Sequence, residues 1–161
     1  MTYSIWLEPS VADRACLKKI IAKLAKEYGA PVFLPHITVY GGVKTRSLAV
    51  EAAQNCKDIS RIVVSTKGIR FSDFLWKTLY VEIRNNSTLT AIHKQLGGEI
   101  PTKYDFEPHL SLIYKKMPRR VKLELRKKIT VNPTLTFDRI TVIRSGALVK
   151  NWERVFTARL R

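Results

Sequence analysis

Cysteine is scarce in this sequence. Only Cys16 and Cys56 occur in 161 residues, too few for a disulfide framework. Both fall near the apolar side of helices predicted below, so both are expected to be buried free thiols. Histidine is scarce too, with three residues. No cysteine cluster or His-x-x-x-His spacing accompanies them, so the sequence offers no metal-ligand pattern and no cofactor is expected. Acidic residues are few: 13 Asp and Glu stand against 29 Lys and Arg, a net charge of +16. Such a balance favours polyanions as partners, whether nucleic acid, nucleotides or an acidic surface. Apolar runs fall short of the ~20 residues a membrane span needs. The opening segment, residues 1–9, has no basic stretch followed by an apolar one, as a secretory signal would. These absences point to an intracellular protein, cytoplasmic or nuclear, without a membrane partner. A monomer is expected.

Two short motifs share one frame. Residues 33–40 read Phe-Leu-Pro-His-Ile-Thr-Val-Tyr, and residues 106–114 read Phe-Glu-Pro-His-Leu-Ser-Leu-Ile-Tyr. Two of the three histidines, His36 and His109, occupy the same place in the frame, 73 residues apart. A strand points alternate side chains to opposite faces. His36 and Thr38 therefore share one face, and Ile37 and Val39 the other. His109 and Ser111 separate from Leu110 and Leu112 in the same way. Each motif presents an imidazole beside a hydroxyl, backed by a core-facing pair. The preceding proline lacks an N–H and suits the first residue of a strand. Either strand alone would pass for an ordinary half-buried strand with a hydrogen-bonded histidine. Two copies in one frame point instead to a single site built from two halves.

The rest of the chain supports duplication. A strand at 3–8 puts Ile5 and Leu7 opposite Ser4, Trp6 and Glu8. Ser10 then reads as an N-cap, with Asp13 as the acidic half of a capping box. The helix that follows carries Leu17, Ile20, Ile21, Leu24 and Tyr28 at helical spacing and closes at Gly29 and Pro31. After the first histidine strand, a helix is predicted over 46–57 with Ala49, Ala52, Ala53 and Cys56 buried. A strand is predicted over 61–71, and Trp76 opens another over 77–84. The pattern then restarts. Asn86 or Ser87 caps a helix bearing Leu89, Ile92, His93 and Leu96, which ends at Gly97-Gly98. The second histidine strand spans 109–114. Pro118 opens a short basic helix. A strand over 134–144 and another from Trp152 to Leu160 complete the chain. His93 lies in a helical apolar stripe and is expected at the core edge. The fold class is α+β: one domain of 161 residues built of two pseudo-symmetric lobes, with the repeat at about 1–75 and 76–161. Two antiparallel sheets would face a central cleft, with helices outside.

Two histidines across a cleft can divide proton work. Free imidazole titrates near ~6.5, so one neutral ring and one protonated ring coexist at neutral pH. The neutral ring takes a proton from an attacking oxygen, and the other gives one to a leaving oxygen. Thr38 and Ser111 can donate to non-bridging oxygens whose charge shifts in the transition state. A phosphodiester with a poor alkoxide leaving group suits this set, and the chemistry asks for no metal.

These residues resemble the 2H phosphoesterase superfamily, whose signature is two His-x-Thr/Ser tripeptides flanked by apolar positions. The strings Pro-His-Ile-Thr-Val-Tyr-Gly-Gly and Pro-His-Leu-Ser-Leu-Ile-Tyr look most like its cyclic phosphodiesterase branch, and the likeness spans nearly the whole chain. It implies a two-lobed, LigT-like fold and metal-independent hydrolysis of cyclic phosphates. Substrates of that kind include nucleoside 2′,3′-cyclic phosphates, ADP-ribose 1″,2″-cyclic phosphate and RNA ends. Carried over by position, His36 and His109 are the catalytic pair, and Thr38 and Ser111 hold the phosphate.

Substrate-binding candidates surround this tetrad. Trp6 and Tyr80 alternate with polar residues and could stack a base. Tyr40 and Tyr114 end the two motifs, although Tyr114 needs a bulge or strand end to face the cleft. Lys44 and Lys115, with Arg46, Lys116, Arg119 and Arg120, follow the motif strands, where they could hold phosphates beyond the scissile one. The same features admit an RNA-end processing enzyme: a 3′ exonuclease, a 2′–5′ phosphodiesterase or a ligase-type activity. They also admit a non-catalytic RNA-binding module.

Overall fold

The computed structural model describes residues 1–161. Strand β1 (Thr2–Pro9) leads into helix α1 (Val11–Tyr28), then β2 (Ile37–Val43), α2 (Arg46–Asn55) and β3 (Ile62–Phe71). The second half runs β4 (Leu79–Ile83), α3 (Ser87–Glu99), β5 (His109–Ile113), α4 (Arg119–Lys128), β6 (Thr134–Ser145) and β7 (Glu153–Arg159). The seven strands pair antiparallel in the order β2-β1-β6-β3-β4-β5, and β7 also pairs with β6.

Strand β3 divides this array into two sheets. Its first residues, Ile62–Ser65, pair with Thr134–Phe137 of β6. From Thr66 onward it pairs with β4. The register slips between Thr66 and Ile69, where Gly68 takes φ +96°, a conformation that glycine adopts without penalty. One sheet is therefore β2-β1-β6-β7, and the other is β3-β4-β5. The two sheets are not the two sequence halves: β6 and β7 join the strands of the first half, and β3 joins those of the second.

The helices cover the sheets with the expected stripes. Leu17, Ile21 and Leu24 of α1 are buried, as are Ala49, Ala52 and Ala53 of α2 and Leu89, Ile92 and Leu96 of α3. Helix α1 packs on β5 as well as β1, and α3 packs on β2. Each half thus covers the other's histidine strand, which ties both motif strands into one continuous core. Gly29 ends α1 at φ +61°, with its N–H bonded to Ala25 O. Asn86 caps α3 by accepting the Leu89 N–H at 2.9 Å.

Several local expectations are corrected. Ser10 stands at the N-cap but makes no capping bond. Its N–H is taken by Thr136 O at 2.7 Å, and Asp13 turns to the Thr136 N–H instead. Sheet pairing replaces the capping box. Cys16 is exposed, whereas Cys56 is buried, because the apolar stripe of α1 runs through Leu17 and leaves its neighbour outside. Gly97-Gly98 lies within α3, which continues to Glu99. Trp76 does not open a strand: Leu75–Lys77 form a 3-10 turn before β4. A second 3-10 turn, Val149–Asn151, precedes Trp152 and β7. The two Trp-led segments therefore correspond as loops. No helix is long and apolar enough to cross a membrane.

Candidate active site

The two histidine strands lie against each other, β2 to β5, and each follows a proline. In both motifs the extended Pro residue brings the carbonyl two positions back against the imidazole. His36 Nδ1 lies 2.6 Å from Leu34 O, and His109 Nδ1 lies 2.7 Å from Glu107 O. A carbonyl only accepts, so Nδ1 carries the hydrogen in both rings. This fixes the same tautomer twice and leaves Nε2 as the free nitrogen of each ring. His36, Thr38, His109 and Ser111 all line one cavity of about 590 Å³.

The two halves also carry matching bulges. On β1 and β2, Trp6 opposes Thr38 while the next residue back, Ile5, opposes Tyr40. On β4 and β5, Tyr80 opposes Ser111 while Leu79 opposes Ile113. In each pair the motif strand carries one extra residue, which breaks strict alternation beyond the hydroxyl. Tyr40 is thereby turned to the side of Ile5, away from the cavity. It is buried, donates its hydroxyl to Thr102 O and stacks on His93. The expectation that Tyr40 binds substrate is corrected. The bulge in β5 does the reverse for Tyr114, which lines the cavity and stacks on Phe33 at 3.9 Å.

The other candidates divide. Trp6 lines the cavity, but its ring lies flat against His36, with centroids 3.5 Å apart and planes 6° from parallel. That face holds the histidine and is not open to a base. Tyr80 is outside the cavity wall; it meets His109 edge-on at 5.6 Å, with Lys77 Nζ over its own ring at 4.9 Å. Lys115 is turned away and donates to Tyr28 O and Gly29 O at the end of α1. Lys44 is exposed and takes no part in the cavity wall. His93 sits beside Phe106 and Tyr40, with Nδ1 3.1 Å from Val39 O, as a core-edge residue.

Other wall residues escaped the sequence analysis as site residues. Trp76 and Trp152 line the cavity with ring centroids 5.7 Å apart. Their signal was a tryptophan in equivalent positions of the two halves. Trp152 Nε1 donates to Gly146 O at 2.9 Å, which holds its loop. Ser111 donates to Trp76 O at 2.7 Å, which ties the second motif to the first 3-10 turn. Tyr104 also lines the wall, from a loop without a motif. It packs on Gly41, where an added Cβ would lie 3.0 Å from its ring.

Burial governs the titration of the site. His36 is 6% exposed. Loss of solvent pushes its pKa down to about 3, against the opposing pull of the Leu34 carbonyl, and His109 lowers it further. His109 is half-buried, and its pKa is lowered chiefly by desolvation; Glu107 O opposes this and Lys77 adds to it. Lys77 is itself paired with Glu107. Burial raises the Tyr104 phenol to about 12 and pushes the Tyr114 phenol still higher. Both remain protonated donors at neutral pH. No group of three His, Cys, Asp or Glu side chains converges in the structure.

Known proteins share this fold. The structure of TT0787 of Thermus thermophilus covers all of this chain and 98% of its own, at a TM-score of 0.68 and 14% identity. E. coli LigT in apo form covers 99% of this chain and 96% of its own, at a TM-score of 0.64 and 10% identity. Both likenesses establish the fold. An Arabidopsis thaliana cyclic phosphodiesterase is 23% identical over 132 residues, which span 78% of this chain and 72% of that protein. The model of the family described as cyclic phosphodiesterase-like protein matches residues 1–156. The chain therefore belongs to the cyclic phosphodiesterase branch of the 2H phosphoesterases.

Proposed function

We propose that this enzyme hydrolyses a nucleotide or RNA cyclic phosphate, either a 2′,3′-cyclic phosphate or ADP-ribose 1″,2″-cyclic phosphate, to a phosphomonoester by two-histidine acid–base catalysis. One observation carries the reading: two imidazoles from separate strands, each anchored through Nδ1 to the carbonyl two residues back, share one cavity. Each ring keeps Nε2 for proton transfer.

The difference in burial supports a division of roles. His36, held neutral with its pKa at about 3, is the base. Its Nε2 takes a proton from water as the water oxygen bonds to phosphorus. His109, less buried, is the acid. Its Nε2–H passes to the ribose oxygen as the P–O bond breaks. An anionic phosphate beside His109 favours the charged ring and offsets the lowering by desolvation. Thr38 and Ser111 donate to the non-bridging oxygens, Ser111 by re-aiming the hydrogen now held on Trp76 O. His36 then loses its proton to solvent, and His109 regains one. Transfers of this type contribute ~10²–10⁴-fold each. E. coli LigT has been crystallised with 3′-AMP, a ribose 3′-phosphate, and with ATP and NADP+.

The test is a panel of cyclic substrates against the wild type, His36→Ala and His109→Ala, with product phosphate position read by NMR. Both variants are expected to melt cooperatively and to lose turnover. Activity retained in both would rule the mechanism out.

A further inference from the structure

Of the three Trp, six Tyr and six Phe residues, Phe74 alone is exposed, at 62%. A single exposed apolar side chain needs no explanation. The place of this one does, because it stands in the wall of the cavity that holds His36 and His109. Trp76, two residues on, is half-buried and lies against Tyr114 and Trp152, with ring centroids 5.1 Å and 5.7 Å away. The turn between β3 and β4 thus offers the cavity two rings at different depths, Trp76 inside and Phe74 at the mouth. That turn is held from within and from α4. Ser72 Oγ accepts the Phe74 N–H at 3.2 Å and donates to Lys77 O at 2.7 Å. The Lys77 N–H closes on Phe74 O at 2.9 Å. The buried Lys122 of α4 reaches Ser72 O at 2.9 Å and Asp73 Oδ1 at 2.6 Å. A fixed backbone therefore presents Phe74 to solvent, which keeps the ordering cost of a contact there small.

We propose that Phe74 is an outer stacking subsite. It takes the base of a second nucleoside, joined through phosphate to the ribose whose cyclic phosphate is opened. This rests on the two-histidine reading above. The reacting ribose sits deep, beside the histidines, and the rest of a longer substrate leaves by the mouth, past Phe74. Stacking there withdraws the exposed ring from water. Every base has a π-face, so the contact tolerates any base. Two substrates carry such a second base: an RNA 3′ end, through its internucleotide phosphate, and ADP-ribose 1″,2″-cyclic phosphate, through its pyrophosphate. Stacking is indifferent to that link, so one ring serves either. Phe74 is remote from the reacting atoms by this account, and its contribution is uniform binding, which acts on KM.

The test compares adenosine 2′,3′-cyclic phosphate, the dinucleotide ApA ending in a 2′,3′-cyclic phosphate, and that dinucleotide with its first base removed. The two dinucleotides carry the same charge, so only the base separates them. The wild type is expected to prefer the base-bearing dinucleotide over its abasic form by roughly tenfold in kcat/KM, mostly through KM. Phe74→Ala should remove that preference, and Phe74→Trp should keep or widen it. Phe74 lies outside the core, so both variants should melt as the wild type does. ADP-ribose 1″,2″-cyclic phosphate, assayed on the same variants, shows which link the second base uses: a Phe74→Ala loss confined to it, or to the dinucleotide, assigns the subsite to that substrate. Equal handling of the two dinucleotides by the wild type, with no Phe74→Ala loss on the ADP-ribose compound, overturns the proposal. So does a Phe74→Ala loss as large on adenosine 2′,3′-cyclic phosphate as on the longer substrates, which would put the ring against the scissile nucleoside. Either result, with turnover intact, leaves hydrolysis standing. If the wild type opens no cyclic phosphate, the two-histidine reading falls, and the subsite is read by tryptophan fluorescence titration with ApA 3′-phosphate and its abasic form. Tighter binding of the base-bearing compound, lost in Phe74→Ala, supports the subsite, and equal binding removes it.

Discussion

Trp6 and His36 lie face to face, with ring centroids 3.5 Å apart and planes 6° from parallel. The indole closes one face of the imidazole while Leu34 O fixes its Nδ1, so the ring cannot tilt without losing both contacts. In the proposed mechanism the cation on His36 would form over the indole face, an attractive arrangement. Trp6 is a positioning residue by this account. Trp6→Phe should lower kcat by roughly tenfold and Trp6→Leu by roughly a hundredfold, with smaller changes in KM. Steady-state kinetics on variants that still melt cooperatively provide the check. Wild-type kcat in a folded Trp6→Leu protein would contradict the role.

His36 also makes stability sensitive to acid. Its folded pKa is about 3 against an ordinary value of 6.5. Between those values the unfolded chain binds the proton and the folded chain does not. Stability is therefore fully present above pH 6.5 and drains as pH falls toward 3. The loss by pH 5 is on the order of 2 kcal/mol. His109, also lowered, acts in the same direction. The carboxyls of Glu82 and Glu107, held low chiefly by bonds to Arg70 and Lys77, lose their contributions further into acid. Melting curves at pH 7.5 and pH 5 should therefore separate for the wild type and converge for His36→Asn. Equal acid sensitivity in the variant would mean that the ring is not held neutral by burial.

The two hydroxyls should behave differently when removed. Ser111 is buried, and its hydrogen lies on Trp76 O at 2.7 Å. Ser111→Ala leaves that carbonyl without its partner at a cost of ~1–3 kcal/mol, and it frees the turn that carries Trp76. Thr38 is half-buried opposite Trp6, and Thr38→Val keeps its shape. We expect Thr38→Val to reduce kcat by ~10²-fold with little change in melting temperature. Ser111→Ala should reduce kcat and melting temperature together. Paired kinetics and thermal melts separate the two, and identical stability losses would contradict the assignment.

Much of this site was legible in the chain because strand periodicity is a local property. His36 and Thr38, and His109 and Ser111, share a face by alternation alone, and the repeated frame brought the pairs together. Helical stripes were legible for the same reason. Residues beyond the hydroxyls were not. One extra residue in each motif strand reverses the parity, turning Tyr40 into the core and Tyr114 into the cavity. Nothing in the local pattern announces which residue will bulge. Tyr104 reaches the cavity across the empty side of Gly41, a contact between segments that share no motif. The Ser10–Asp13 capping signal failed because strand pairing with β6 took the backbone group it needed. Charge was the least legible feature, since a lysine's partner depends on what the fold brings within reach.

Lys115 is the clearest case. It follows the second motif directly, where a phosphate contact is the natural expectation. Its Nζ instead donates to Tyr28 O and Gly29 O, 87 and 86 residues away in sequence. The last carbonyls of a helix have no partners within it, and they carry the negative end of its dipole. An ammonium placed there satisfies both needs, and it ties α1 to the end of the strand that carries His109. Lys115→Ala should therefore lower stability by about 0.5–1 kcal/mol and leave kcat/KM for small cyclic phosphates unchanged. Lys115→Arg, which keeps the charge, should recover much of the stability. The measurement is a melting curve paired with kinetics at low salt, where a phosphate contact would be strongest. A selective rise in KM for Lys115→Ala, without a change in melting temperature, would return this lysine to the substrate and remove it from the helix end.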